Sequence, residues 1–169
     1  MTTFLRKLVF PLLVVLAQMA TAQTHADGMT AMQLEEWDKA ISIYSAIAKA
    51  NPTDQVALLT LANAYLAKGD KVESEKSIDA AFNARPEGAY ALIANGRKAL
   101  LRNDDTEATN QFRKAAKNAK KDVTALRLIG ESFFFYLSPG SKRPNLTRAE
   151  TELKAAMDVS SKDFASIAT

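Results

Sequence analysis

His25 is the only histidine in the 169 residues, and there is no cysteine. Disulfides, thiolate nucleophiles and thiolate zinc sites are therefore excluded, as is any metal centre built on several histidines. A Ser-His-Asp triad would have to use His25 itself, which lies near the expected start of the mature chain and reads as a surface residue of a terminus. The 19 acidic residues are the other source of acid–base chemistry. A catalytic pair needs burial or like-charge crowding to separate the two pKa values. Here the carboxylates fall mostly on polar faces and at helix starts, as Asp70, Glu73, Asp104 and Glu107 do, where capping and solvation use them. Gly96 and Gly130 stand alone and make no phosphate-binding loop. The expectation is a non-catalytic chain with no cofactor and no metal.

Three further spots could carry recognition chemistry. Asn145-Leu146-Thr147 has the pattern of a glycosylation acceptor, but Thr147 and Glu150 read more simply as a capping box for a last helix. Lys142-Arg143 is a small basic spot of the kind that is usually solvated. Phe133-Phe134-Phe135-Tyr136 is the densest aromatic patch. Phe134 and Phe135 cannot both point the same way on a helix. One of them is expected to face an inner groove or a following structural unit, with core packing favoured over ligand stacking.

The net charge of +3 hints at nucleic acid, but part of it belongs to a leader. Arg6 and Lys7 precede the apolar run Leu8 to Ala17, and Ala20-Thr21-Ala22 has the small-x-small form of a signal-peptidase site. A membrane span needs about 20 apolar residues, so residues 1–22 are expected to be a cleaved signal peptide and not an anchor. Removing Arg6 and Lys7 leaves 20 basic against 19 acidic residues, a net charge of +1. Nucleic acid loses its compositional support, and export to the periplasm or cell envelope is expected.

The elements that must position any site emerge from a period of 34 residues. Gly28, Ala62, Gly96 and Gly130 form one column at that step. Ala40, Ser74 and Ala108 form another, as do Tyr44, Ile78 and Phe112, and Leu58, Leu92 and Leu126. Pro52 and Pro86 follow the same step. Within one period, Leu58, Leu61, Ala62 and Tyr65 recur at helical spacing, and Lys68-Gly69-Asp70 ends the helix. Asp70 and Glu73 form a capping-box pattern that starts a second helix, with Ser74, Ile78, Ala81 and Phe82 on its apolar face and Pro86 as its stop. Asp104 and Glu107 repeat the box one period later. Small residues in the first column let the two helices of a unit approach. Tyr44, Tyr65 and Phe112 are expected to fill the space between units. A lone helical pair cannot bury its apolar face, so units must stack.

On these residues the chain resembles the tetratricopeptide repeat (TPR) family. Leu58, Leu61, Ala62, Tyr65, Gly69, Asp70, Ser74, Ala81 and Pro86 follow the family pattern, and Trp37, Ala40, Tyr44 and Pro52 carry it in the preceding unit. The resemblance implies an all-α, right-handed superhelical solenoid of antiparallel helix pairs with about four repeats. The units are expected at 23–54, with a weak first helix, then at 55–88, 89–122 and 123–163. The last carries an insert at 138–145 before Ala149, Leu153 and Ala156 restore the register. Residues 164–169 are expected to begin a truncated fifth unit, since Phe164-Ala165-Ser166-Ile167 aligns with Val123-Thr124-Ala125-Leu126.

The family's inner groove is lined by the first helix of each unit. By that resemblance, Leu59, Asn63, Leu66, Tyr90, Ile93, Arg97, Leu101, Arg127 and Glu131 are the expected partner-binding groove. Its mixed chemistry suits an extended or helical peptide. The family's carboxylate clamp for chaperone tails is not expected, because Leu59, Ala94, Thr124 and Leu128 hold its places and only Asn63 is retained. The expected function is a non-catalytic scaffold or adaptor binding another protein or peptide, with no nucleic acid and no membrane span after leader cleavage. The alternative is the N-terminal regulatory or targeting TPR region of a larger envelope protein whose activity lies beyond Thr169.

Overall fold

The computed structural model describes residues 23–119 and 121–136. The leader expected at 1–22, the insert expected at 138–145 with Lys142-Arg143 and the Asn145 acceptor pattern, the box expected at Thr147 and Glu150, the helix expected through Ala149, Leu153 and Ala156, and the unit expected to begin at 164–169 all lie outside the described residues.

Seven helices and no strand occur among the described residues: α1 (His25–Gln33), α2 (Trp37–Ala50), α3 (Gln55–Ala67), α4 (Lys71–Ala84), α5 (Ala89–Leu101), α6 (Asp105–Ala119) and α7 (Val123–Phe135). Each packs against the next in sequence. The result is a TPR-like helical solenoid of stacked pairs, α1/α2, α3/α4 and α5/α6, followed by α7.

The 34-residue step is written into the backbone. Glu35, Gly69 and Asn103 all have positive φ, at 57°, 91° and 62°. At each, the chain turns back so that the next amide bonds five residues upstream: Glu36 N–H to the Ala31 carbonyl (2.9 Å), Asp70 to Tyr65 (2.8 Å) and Asp104 to Ala99 (2.9 Å). This is a Schellman stop, which satisfies helix-end carbonyls through a left-handed residue. Glycine takes that conformation without penalty, whereas Glu35 and Asn103 carry a Cβ into it.

Helix starts obey the same register. Asp70 accepts the Glu73 N–H at 3.0 Å and Asp104 accepts the Glu107 N–H at 2.9 Å. The return halves of these expected boxes are replaced by other bonds: Glu73 pairs with Lys76, and Glu107 accepts from Gln111 at 2.6 Å. A full capping box does form at α1, between Thr24 and Asp27. The first helices of the later units begin on Asp54, Gly88 and Asp122, again 34 residues apart. Asp54 accepts from Ala57 N–H at 2.9 Å and Asp122 from Ala125 N–H at 3.0 Å.

The columns of small and large residues meet inside each unit. A methyl group on Gly28 would lie 2.7 Å from Tyr44 ring carbons, and one on Gly96 would lie 2.8 Å from Phe112 Cδ1 and Cζ. Tyr44 and Phe112 therefore fill the space between the two helices of their own unit and also reach the next one, Tyr44 in a cluster with Ala57, Leu61 and Ala64 and Phe112 against Phe133. The middle unit has Ala62 and Ile78 in the same two columns, both fully buried in one core cluster. Where the small position gains a methyl, the large one loses a ring.

Helix α3 joins the two cores. Ala57, Leu61 and Ala64 pack with Ala31, Met32, Ile43 and Tyr44, while Leu58, Leu59 and Ala62 belong to the larger cluster that runs through α4 to α7. A helix wetted on neither broad face reads as apolar nearly all round, as Gln55 to Ala64 does.

Candidate functional site

The chain curls enough for α7 to lie against α3, two units away, as well as against α5 and α6. The inner face of the solenoid is consequently divided. Its middle is filled by α7, and depressions remain at both ends.

Arg97 sits in the filled part with no accessible surface. Its Nη1 donates to the Leu59 carbonyl of α3 at 2.6 Å, its Nη2 to the Leu128 carbonyl of α7 at 3.1 Å, and its Nε to Ser132 Oγ at 2.8 Å. The guanidinium lies 5.7 Å from the Tyr136 ring centroid. None of the three acceptors is a carboxylate. Burial pulls the Arg97 pKa down, and Tyr136 and Glu131 act against that pull. Beside it, Asn63 Nδ2 donates to Glu131 Oε2 at 3.0 Å, and Glu131 also pairs with Arg127.

The nine residues expected along a groove thus separate into three groups. Leu59, Asn63, Ile93 and Arg97 are in the interior, because α7 covers the face they share. Leu66 and Leu101 are half-buried and, with Leu100, Phe135 and Tyr136, line a depression of about 310 Å³ at the carboxyl ends of the first helices. Tyr90 and Arg127 line a larger cleft at the amino ends, and Glu131 holds Arg127 from behind. In the aromatic patch, Phe133 packs edge-on against Phe112 (5.1 Å between centroids) and Phe135 edge-on against Trp37 (6.3 Å). Phe134 is the exposed member, at 48%.

The amino-end cleft has a volume of about 510 Å³. α1 contributes His25, Ala26 and Met29, α2 contributes Tyr44, and the start of α3 contributes Asp54 and Val56. Tyr90 from α5 and Thr124 and Arg127 from α7 close it. Several of these side chains are positioned by bonds at helix ends. Asp54 caps α3 with one oxygen and meets His25 Nε2 with the other at 2.9 Å. Tyr90 Oη donates at 2.8 Å to Asp122, which caps α7. Tyr44 Oη donates to the His25 carbonyl at 3.3 Å.

His25 is therefore anchored at a cleft and is not a loose terminal residue. One signal in the sequence could have located this cleft, the column Asp54, Gly88, Asp122 that starts the first helices of the later units.

Burial pushes the Tyr44 phenol up to about 12, with Glu131 and Asp54 adding to the shift and Arg127 opposing it. Tyr90 is also raised, by burial first and then by donating to Asp122. Both phenols are neutral hydrogen-bonding groups at ordinary pH, unsuited to base or nucleophile work. His25 and Asp54 form an acid–imidazole pair, but the Tyr44 hydroxyl goes to the His25 main chain and not to its ring. Among the described residues no group of three or more His, Asp or Glu could hold a metal ion, and no helix is long and apolar enough to cross a membrane. The cleft offers an apolar floor, hydroxyl groups and charges of both signs, which suits recognition of polypeptide.

No curated protein matches the chain. Residues 31–101 match the family model for the tetratricopeptide repeat. From the last turn of α1 to the end of α5, the chain is therefore similar to tetratricopeptide repeats in sequence as well as in fold, repeats that in general are protein–protein interaction modules and not catalysts.

Proposed function

We propose that the protein is an exported, non-catalytic adaptor that holds a peptide or protein partner in the amino-end cleft of its concave face. The observation that carries this reading is the cleft itself: about 510 Å³, walled by the first helices of four successive units together with Tyr44 of α2. A groove built across several units reads a partner at several points at once, which favours an extended or helical segment over a small molecule. Of the groove residues expected from the sequence, Tyr90 and Arg127 line the cleft, with His25, Met29 and Thr124, and that lining supports a role for them in partner contact. Export rests on the leader pattern of residues 1–22, and the compartment is the periplasm or cell envelope.

The test is mutational. Tyr90→Ala and Arg127→Ala each remove a cleft wall and are expected to weaken partner binding by about tenfold or more, as truncated aromatic and arginine anchors do. Val72→Ala, at an exposed position of α4, should leave binding unchanged. Equal effects of all three, or none, would overturn the reading.

A further inference from the structure

We propose that α7 is a gate: an intramolecular occupant of the concave face that lifts from α3 and α5 without global unfolding and so controls access to that face. The proposal rests on the reading of the concave face as the binding surface, but its physical basis is separate.

Helix α7 has two faces of different character. One carries Leu126, Ile129 and Phe133 into the shared core, with Phe133 edge-on to Phe112 of the preceding unit. This is the stacking that every unit of the solenoid makes with its neighbour. The other face, with Leu128, Glu131 and Ser132, reaches α3 and α5 through a mixed seam: Leu128 shares an apolar cluster with Leu59 and Ile93, and polar bonds run from Arg97 to Ser132 and to the Leu128 carbonyl and from Asn63 to Glu131. The α3/α4 and α5/α6 pairs, by contrast, are closed by apolar columns such as Ala62 with Ile78 and Gly96 with Phe112.

The groups at the polar seam gain little net stability from closure. Arg97 is a buried cation held by two carbonyls and a hydroxyl, so its desolvation offsets much of what its bonds return. Asn63 Oδ1 is buried with no hydrogen-bond partner among the described residues, a state that water relieves as soon as the seam opens. Glu131 and Arg127 keep part of their side chains in solvent, and opening restores the rest. A helix seated in large part through such contacts belongs to the class of elements that open locally, below the free energy of global unfolding. Opening exposes Leu59, Asn63, Ile93 and Arg97 together, and these are the residues that the repeat register places on the inner face.

The absence of cysteine from the sequence makes a clean test available in the full chain. Leu59→Cys places a thiol under α7, and Ile78→Cys places one in the core away from it; both parent side chains have no accessible surface. Maleimide labelling is measured under native conditions, with and without Glu131→Lys, which sets a cation beside Arg127 and Arg97. The gate predicts that the Leu59→Cys thiol labels at least about tenfold faster than the Ile78→Cys thiol, as local opening does relative to global opening. Glu131→Lys should accelerate the first and leave the second nearly unchanged. Equal rates for the two thiols, or parallel acceleration of both, show that α7 leaves only when the whole fold does, and overturn the proposal. Hydrogen exchange guards against cavity effects: in the unsubstituted chain, α7 amides should exchange well before those of α3 and α4, and equal protection counts against the gate. Neither readout uses a partner, so a failed gate leaves the adaptor reading standing, and a failed adaptor reading leaves the gate measurable.

Discussion

Replacing Gly96 with alanine should destabilise the protein, and replacing Phe112 with isoleucine in the same molecule should recover about half of the loss. The added methyl would lie 2.8 Å from Phe112 Cδ1 and Cζ, well inside van der Waals contact. The ring cannot swing away, since it is 2% exposed and held edge-on by Phe133 at 5.1 Å. Overpacking of a closed core costs about 1–3 kcal/mol, and this geometry belongs at the upper end. Gly→Ala in a helix returns about 1 kcal/mol, so the net loss is about 2 kcal/mol. Phe112→Ile alone empties ring volume above a glycine and should lose about 2 kcal/mol. Together the two changes recreate the Ala62 and Ile78 pairing of the middle unit, and the coupling between them should reach about 3 kcal/mol, the upper end of the range found for residues in contact, which leaves the double variant about 1 kcal/mol below the parent. Urea denaturation of the four proteins of the cycle, followed by helical circular dichroism, measures it. A neutral or stabilising Gly96→Ala, or strictly additive losses, would refute the claim that the small and large columns are matched within each unit.

Two other sets of substitutions probe the buried latch and the repeated turn. Arg97→Ala leaves Ser132 and two carbonyls short of a donor and opens a cavity, so it should cost about 3 kcal/mol or more. Arg97→Met keeps the volume without the buried charge and should cost distinctly less; the two are compared by the same denaturation assay. Glu35→Gly relieves a side chain held at φ 57° and should stabilise by about 0.5–1 kcal/mol, read as a raised midpoint, whereas Gly69→Ala at φ 91° should lose about as much.

Much of the architecture was legible because it is local and repeated. The Schellman stops at Glu35, Gly69 and Asn103 and the caps at Asp70 and Asp104 depend on contacts within six residues, and a 34-residue period displays them three and two times over. The curvature of the stack was not legible. It is fixed by contacts such as Leu59 to Arg97 and Asn63 to Glu131, which join residues from separate units, and the repeat register says nothing about how far successive units rotate. Arg97 and Asn63 consequently read as exposed groove polars when they are interior ones. Tyr44 and Phe112 meet the next unit as their register suggests, but their close fit over Gly28 and Gly96 inside their own unit is not written in the period, which fixes which residues are equivalent and not every neighbour each one touches. The pairing of His25 with Asp54 was invisible because a histidine near a chain start carries no periodic signal, and Asp54 carries no mark in the sequence of a partner 29 residues upstream.

The central claim, that the amino-end cleft of the concave face receives a polypeptide partner, is tested most directly by site-specific photo-crosslinking in the native compartment. A photoreactive residue is placed at Met29 or Thr124 in the cleft, and at the exposed positions Val72 and Leu34. The account predicts a discrete polypeptide adduct from the two cleft positions that is absent from Val72 and Leu34 and is lost on Tyr90→Ala. Adducts of equal yield from all four positions, or an adduct confined to Val72 and Leu34, would contradict it.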